Sequence, residues 1–327
     1  YKTNQQSDLW RAYQLNVGTA NSAHPYSWFN IGNTQTLRDA AKDLGLDLRD
    51  ELIKFHDKYY SADIMRLVVV GNYSLDALTE LVASKFSDVE SKGDARPRFG
   101  IPPVGKAELG KLVRYKTVNE KYELKLKFAL PEIKSLYREK PFNYISSLLG
   151  HREPGSIYSV LRKNGWATGI RAYSSGESYD EFGIYSIDIT ATPEGLENYE
   201  AIVSIVFGYI DMLIEHGPQE WYYKELSLIS KATFDYKDKE GALAYARATS
   251  KGAHNHYVPP SHIVSHGSLI SGYDAELISK CLSYLNPGNY RLFVGAQEHK
   301  SVECTLEEKH YNVLHHISDL PLHMTSS

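Results

Sequence analysis

Tyr122-Glu123-Leu124-Lys125-Leu126-Lys127-Phe128 alternates without a break. Leu124, Leu126 and Phe128 fall on one side of an extended chain and Glu123, Lys125 and Lys127 on the other, the period of a strand with one face against a core. The same period recurs from Phe182 to Thr190, with Tyr185, Ile187 and Ile189 on one face, and a further strand is expected at Ala167–Ser174. Tyr290–Val294 closes the series as a last strand. Between these strands the apolar spacing shifts to 3.6 residues, predicting helices over Pro141–Leu149 and Gly155–Asn164. Thr192-Pro193 opens another, with Thr as N-cap and Pro at the first helical position. Its stripe Ile202, Ile205, Val206, Tyr209 and Leu213 stops at Gly217-Pro218. Helices over about 219–234, 241–254 and 274–285 follow. From about residue 106 the order is β-β-α-α-β-β-α-α-α-β, which predicts an α+β fold with helices packed on one face of an antiparallel sheet.

Upstream the pattern is less complete. A helix is expected from about Asn4 to Val17 on the stripe Leu9, Trp10, Tyr13 and Val17, then a Gly/Asn/Thr loop over 30–34. Asp47 is placed to cap a helix with the stripe Leu48, Leu52, Phe55 and Tyr59. Leu67-Val68-Val69-Val70-Gly71 has the composition of a buried strand, and Ser74 is placed to cap a helix through Leu75, Leu78, Leu81, Val82 and Phe86. No strand partner precedes Leu67, so these helices are expected to expose apolar faces, Leu48, Leu52, Phe55 and Trp10 among them. Ser91 to Gly110 holds four glycines and three prolines. The expected division is therefore residues 1–95, a linker at 96–110, and a second domain over 111–327.

Composition excludes several function classes. The 327 residues carry 36 Lys+Arg against 40 Asp+Glu, a net charge of −4 with no basic block, so a nucleic-acid partner is not expected. No apolar run approaches the ~18 residues of a membrane span. Two cysteines, Cys281 and Cys304, make no disulfide framework and point to a reducing compartment, cytoplasmic with mitochondrial as the alternative. Residue 1 is Tyr rather than Met, and the sequence reads as part of something longer.

Chemical motifs are sparse. The one H-x-x-x-H, His262 to His266, has no Glu between its histidines and follows Pro259-Pro260, so solvated loop histidines are expected there. His254, His256, His315 and His316 are expected to be exposed or loop residues. There is no G-x-S-x-G, no phosphate loop and no G-x-G-x-x-G.

Three segments stand out as more than core patterning: Gly150-His151-Arg152-Glu153-Pro154-Gly155-Ser156, His216-Gly217-Pro218-Gln219-Glu220-Trp221, and Phe234-Asp235-Tyr236-Lys237-Asp238-Lys239-Glu240. In this order they resemble the insulinase (pitrilysin) family of zinc metallopeptidases, closest to its insulysin-like and fungal pheromone-processing members. Asp8-Leu9-Trp10-Arg11-Ala12-Tyr13-Gln14, His24-Pro25-Tyr26-Ser27, Phe55-His56-Asp57-Lys58-Tyr59-Tyr60-Ser61, Leu148-Leu149-Gly150-His151 and Lys163-Asn164-Gly165-Trp166 carry the likeness along the chain.

The resemblance implies repeated metallohydrolase-like α+β domains around a chamber, with this sequence covering the back of the first and the whole of the second. It implies cleavage of short, unfolded peptides by a zinc-activated water. The family's H-x-x-E-H is missing, however, and the first His and first Glu of the chain are His24 and Glu51. Zinc is therefore expected in a full-length member and not in this chain, which is expected to be inactive alone. The rival expectation is a catalytically inactive, peptidase-like binding or scaffold subunit. The resemblance further implies substrate-binding roles for Trp10 and Tyr13 beside a side-chain pocket. Gly150, His151 and Gly155, with Ile170, Arg171, Ala172 and Tyr173, would hold a substrate N-terminus as an added strand, although Glu153 stands where the family usually has Gly. Expected partners are peptide substrates and the other domains of the parent chain, with a homo-oligomer left open.

Overall fold

A computed structural model describes residues 1–93, 96–175, 179–300 and 302–325; residues 94 and 95, at the expected domain boundary, lie outside the described residues. The chain forms two compact units, one of Tyr1–Ile31, Gly100–Leu226 and Ser271–Ser327, the other of Gly32–Phe99 and Ser227–Ile270.

The first unit is built on one seven-stranded sheet. Its strands are β1 (Lys111–Lys116), β2 (Tyr122–Pro131), β3 (Ala167–Ser174), β4 (Phe182–Ala191), β5 (Tyr290–Ala296), β6 (Leu306–Glu308) and β7 (Val313–Asp319), in the order β3-β4-β2-β5-β1-β7-β6. The α+β class holds, but the sheet is mixed, because β1 runs parallel to β5. Nor is β5 the last strand. The segment with His315 and His316, expected to be exposed, is β7, where His315 is buried and its Nδ1 lies 2.9 Å from the Val313 carbonyl oxygen.

Cross-strand register keeps the two faces distinct. Leu124, Leu126 and Phe128 pair with Ile189, Ile187 and Tyr185 on one side and with Val294, Leu292 and Tyr290 on the other. This face receives the helices: the Phe142 ring lies 5.7 Å from Tyr185, and Phe207 lies 6.1 Å from Phe128 and 5.1 Å from Tyr290. The helix expected to open at Thr192 is split into Pro193–Glu197 and Tyr199–His216, with Thr192 accepting the Gly195 N–H as cap.

The opposite face is also covered, and by the N-terminal segment. Ala12 and Leu15 of the Asp8–Gly18 helix pack with Val113, Tyr115, Phe293, Tyr311 and Val313. The helix thus turns Asp8, Arg11, Ala12, Leu15 and Val17 inward; of the expected stripe Val17 is buried, while Leu9 and Trp10 are exposed, Trp10 as expected. Its polar inward residues are tied to the sheet: Asp8 accepts the N–H groups of Val118 and Asn119, and Arg11 donates to the carbonyls of Tyr311 and Lys116. Through this contact Tyr1–Ile31 groups with the sheet rather than with Gly32–Phe99.

In the second unit the caps expected at Asp47 and Ser74 are present, on helices Leu48–Tyr59 and Leu75–Phe86. Leu48, Leu52 and Phe55 are exposed, as expected. Leu67-Val68-Val69-Val70-Gly71 is not a strand; no described strand pairs with it, and Leu67 is 51% exposed. Composition favoured a strand there, but a strand needs a ladder partner. Among the described residues no single helix is long and apolar enough to cross a membrane.

Candidate functional site

The segment Gly150–Ser156 links two helices that pack on β3. Pro141–Leu149 ends at Gly150, and Ser156 caps Ile157–Lys163 by accepting the Ser159 N–H at 3.1 Å. Between them His151, Arg152, Glu153, Pro154 and Gly155 are all exposed. Gly155 has φ +88°, which glycine adopts at little cost. Gly150 is not left-handed; it is small for another reason, because a Cβ there would lie 3.0 Å from the Ser146 carbonyl and 3.5 Å from the Ala172 nitrogen. The turn is pressed against the middle of β3.

β3 is one of the sheet's two edge strands. Among the described residues it pairs only with β4. The Ser175 N–H bonds the Ile184 carbonyl at 2.9 Å, which sets the phase of the antiparallel ladder. Arg171 and Tyr173 therefore direct their backbone groups at β4, while those of Ile170, Ala172 and Ser174 face outward. The Tyr158 hydroxyl bonds the Thr168 carbonyl at 3.2 Å, just before the outward-facing stretch.

Side chains divide the edge by face. Ile170 is buried and Ala172 half-buried on the helix side. On the other side Tyr173 donates its hydroxyl to Asp188 Oδ2 at 3.1 Å, and the Arg171 guanidinium lies 4.6 Å from the Tyr173 ring and 3.9 Å from Asp188. Burial, then the Asp188 charge, raises the Tyr173 pKa. Behind them Lys127 bonds Ser186 Oγ at 3.2 Å, and burial pushes its pKa down to about 8.

Of the residues expected to bind substrate, the structure gathers Gly150, Ile170, Arg171, Ala172 and Tyr173, with His151 and Gly155 in the exposed turn. Trp10 and Tyr13 form a separate edge-to-face pair at 5.8 Å, with Trp10 39% exposed. Tyr13 also meets the Tyr179 hydroxyl, and Tyr179 stacks at 4.3 Å on Phe182, the first residue of β4. Sequence reasoning missed Asp188 and Lys127. Asp188 carried a signal, as the one charged residue in the run Tyr185–Ile189.

The zinc that the resemblance implies does not fit these residues. His266 Nδ1 is 2.7 Å from its own segment's Ile263 carbonyl, and among the described residues no three His, Cys, Asp or Glu side chains gather as a metal set.

The mixed sheet thus carries helices on one face and the Asp8–Gly18 helix on the other, with β3 at an edge beside the glycine turn. Residues 47–227 match the family described as the peptidase M16 inactive domain, and residues 234–327 match the middle or third domain of peptidase M16. The chain belongs to the peptidase M16 family. It is 33% identical to the A-factor-processing enzyme of Saccharomyces cerevisiae over 98% of this chain and 31% of that protein. It is 33% identical to the insulin-degrading enzyme of Drosophila melanogaster over 97% of this chain and 32% of that one. The crystal structure of pitrilysin superposes with a TM-score of 0.89 at 26% identity, covering 99% of this chain and 34% of that chain. The chain thus spans about a third of the length of the relatives it matches.

Proposed function

We propose that this chain supplies chamber wall and a substrate exosite to an insulysin-like zinc metalloendopeptidase of short peptides. Its edge β3 would take a peptide N-terminus as an added strand. The observation that carries this is the outward-facing backbone of Ile170 and Ala172 beside the exposed Gly150–Ser156 turn. The Glu153 carboxylate and the His151–Gly155 backbone would lie near the peptide's terminal ammonium. Trp10 and Tyr13 would line a side-chain pocket, supported by Trp10's exposure on a helix that the sheet holds. On this reading residues 1–95 are the end of a catalytic-type domain, 96–110 a connection and 111–327 a second, non-catalytic domain. A cytoplasmic location belongs to the same proposal, supported by two cysteines that are both free.

A single added strand buries far less than the ~1,200 Å² of a stable interface, so micromolar or weaker affinity is expected. The test is a titration of an N-terminally free peptide and its acetylated twin, followed by NMR shifts at Ile170–Ser174. Larger shifts from the free peptide support the reading. Equal shifts remove the N-terminal anchor, and no shift from either removes the exosite. The chain alone is expected to hold no stoichiometric zinc and to cleave no peptide; about one tight zinc per chain by metal analysis would contradict this. The rival is an inactive peptidase-like scaffold subunit, favoured by the lack of H-x-x-E-H in the sequence. An in-frame H-x-x-E-H and a later Glu in the coding region upstream of Tyr1 would decide for the peptidase, and their absence for the scaffold.

A further inference from the structure

The free edge presents side chains as well as backbone, and these rest on the strand-addition reading above. A peptide that adds antiparallel to β3 and bonds to the outward groups of Ile170 and Ala172 stands opposite Arg171 in a non-hydrogen-bonded pair. Opposing Cα atoms then approach ~4.5 Å, and the two side chains are at their closest. The peptide side chain opposite Arg171 projects on Arg171's own face of the sheet.

Among the described residues that face is short of carboxylates at this edge. Arg171 pairs in register with Asp188, and Asp188 with Lys125; one row on, Tyr173 pairs with Ser186, and Ser186 with Lys127. The Glu123 carboxylate is taken up by Lys121, Lys125 and the Tyr115 hydroxyl. Among the described residues Asp188 is the carboxylate left to face the remaining cations; its Oδ2 accepts the Tyr173 hydroxyl and its Oδ1 is buried without a hydrogen-bond partner. Arg171 at 3.9 Å is only loosely paired with it, and its side chain remains 69% exposed. Tyr173 lies beneath the guanidinium and is hydrogen-bonded by it, which limits the rotamers of Arg171 while engaging only part of its five N–H donors. On the other face Gly150 comes up against Ala172, so small peptide side chains are expected to fit best on that side.

We propose that Arg171 determines the sequence preference of this edge. The bound peptide carries Asp or Glu directly opposite Arg171, flanked by small residues on the Gly150 side.

A seven-residue peptide with a free N-terminus and an Ala/Thr background tests this, with one Glu moved through its inner positions and Gln and Lys twins at each. Binding to the full chain is read by NMR shifts at Ile170–Ser174. Glu at one position, or at two positions separated by one residue, should bind about two- to fivefold more tightly than Gln, and Lys more weakly still. The gain should shrink with added salt and vanish in Arg171→Gln, while the Gln peptide binds both chains alike. If Glu, Gln and Lys peptides bind equally at every position while Ile170–Ser174 still shift, the exosite stands and the role of Arg171 is overturned. If no peptide shifts β3, the exosite itself is removed and this inference falls with it.

Discussion

The guanidinium of Arg291, 2% exposed, donates a 3.0 Å hydrogen bond to the carbonyl oxygen of Thr19, the C-cap of the Asp8–Gly18 helix. A second bond, 3.3 Å, reaches the Asn16 carbonyl. A strand cation thus fills the electron-rich end of the helix, where carbonyls lack intrahelical partners. At the other end Asp8 accepts two backbone N–H groups from the β1–β2 turn. Burial lowers the Arg291 pKa to about 10, so it stays charged at neutral pH.

Replacing Arg291 by Leu should therefore orphan two carbonyls and loosen the helix. We expect a loss of about 2–3 kcal/mol in chemical denaturation. Faster amide exchange should be concentrated at Leu15–Thr19. Unchanged exchange there would show that packing of Ala12 and Leu15 alone holds the helix.

Gly295 sits under the Tyr115 ring. A Cβ on Gly295 would lie 2.5 Å from Tyr115 Cζ, closer than any real contact. Gly295→Ala must displace the ring and with it the 2.7 Å bond from the Tyr115 hydroxyl to Glu123. A cost of about 2–4 kcal/mol is expected. The same substitution in a Tyr115→Leu background should cost much less, because the clash and the bond are then both gone. Equal costs in the two backgrounds would rule out this mechanism.

How much of this was legible in the sequence depends on what each signal requires. Alternation places β2 and β4 because each has one face that is wholly apolar. β7 was hidden because His315 and His316 look like surface residues, yet His315 is buried against its own backbone. Leu67–Gly71 erred in the opposite direction, since composition says nothing about whether a neighbour exists to complete the ladder. The inward face of the Asp8–Gly18 helix was not legible because it includes Asp8, Arg11 and Gln14, each hydrogen-bonded to a group more than a hundred residues distant. The edge position of β3, on which the candidate site depends, follows from strand order, and strand order is set by long-range pairing.

Lys127 gives a pH prediction. Burial lowers its pKa from 10.5 to about 8, with Asp188 opposing and Lys125, Arg291 and Arg171 adding to the drop. Between pH 8 and 10.5 the unfolded chain holds this proton and the folded chain has released it, so this group's contribution to stability rises with pH across that window. Below pH 8 the folded state carries a poorly solvated ammonium. Lys127→Met should therefore be most favourable relative to the native chain at pH 7, and the advantage should shrink steadily toward pH 10. Denaturation midpoints of both chains at pH 7, 8, 9 and 10 give the difference directly. A difference independent of pH would mean that the amine titrates normally.

The last prediction concerns the N-terminal segment. Tyr1–Ile31 is joined to its sheet by contacts rather than by chain continuity, since residues 32–99 intervene. The exposed run at Phe86–Ser91 and the Gly/Pro-rich stretch beyond it offer a protease a site. If residues 1–95 were an independent piece, cutting there would release all of it. The Asp8–Gly18 helix instead contributes Ala12 and Leu15 to the cluster with Tyr115 and Phe293, and its ends are tied by Asp8 and Arg291. After limited proteolysis, the N-terminal fragment should co-elute with the C-terminal fragment on size exclusion and separate only in denaturant. Arg291→Leu should make it dissociate at lower denaturant. Separation of the two native fragments without denaturant would show that the helix does not belong to the sheet.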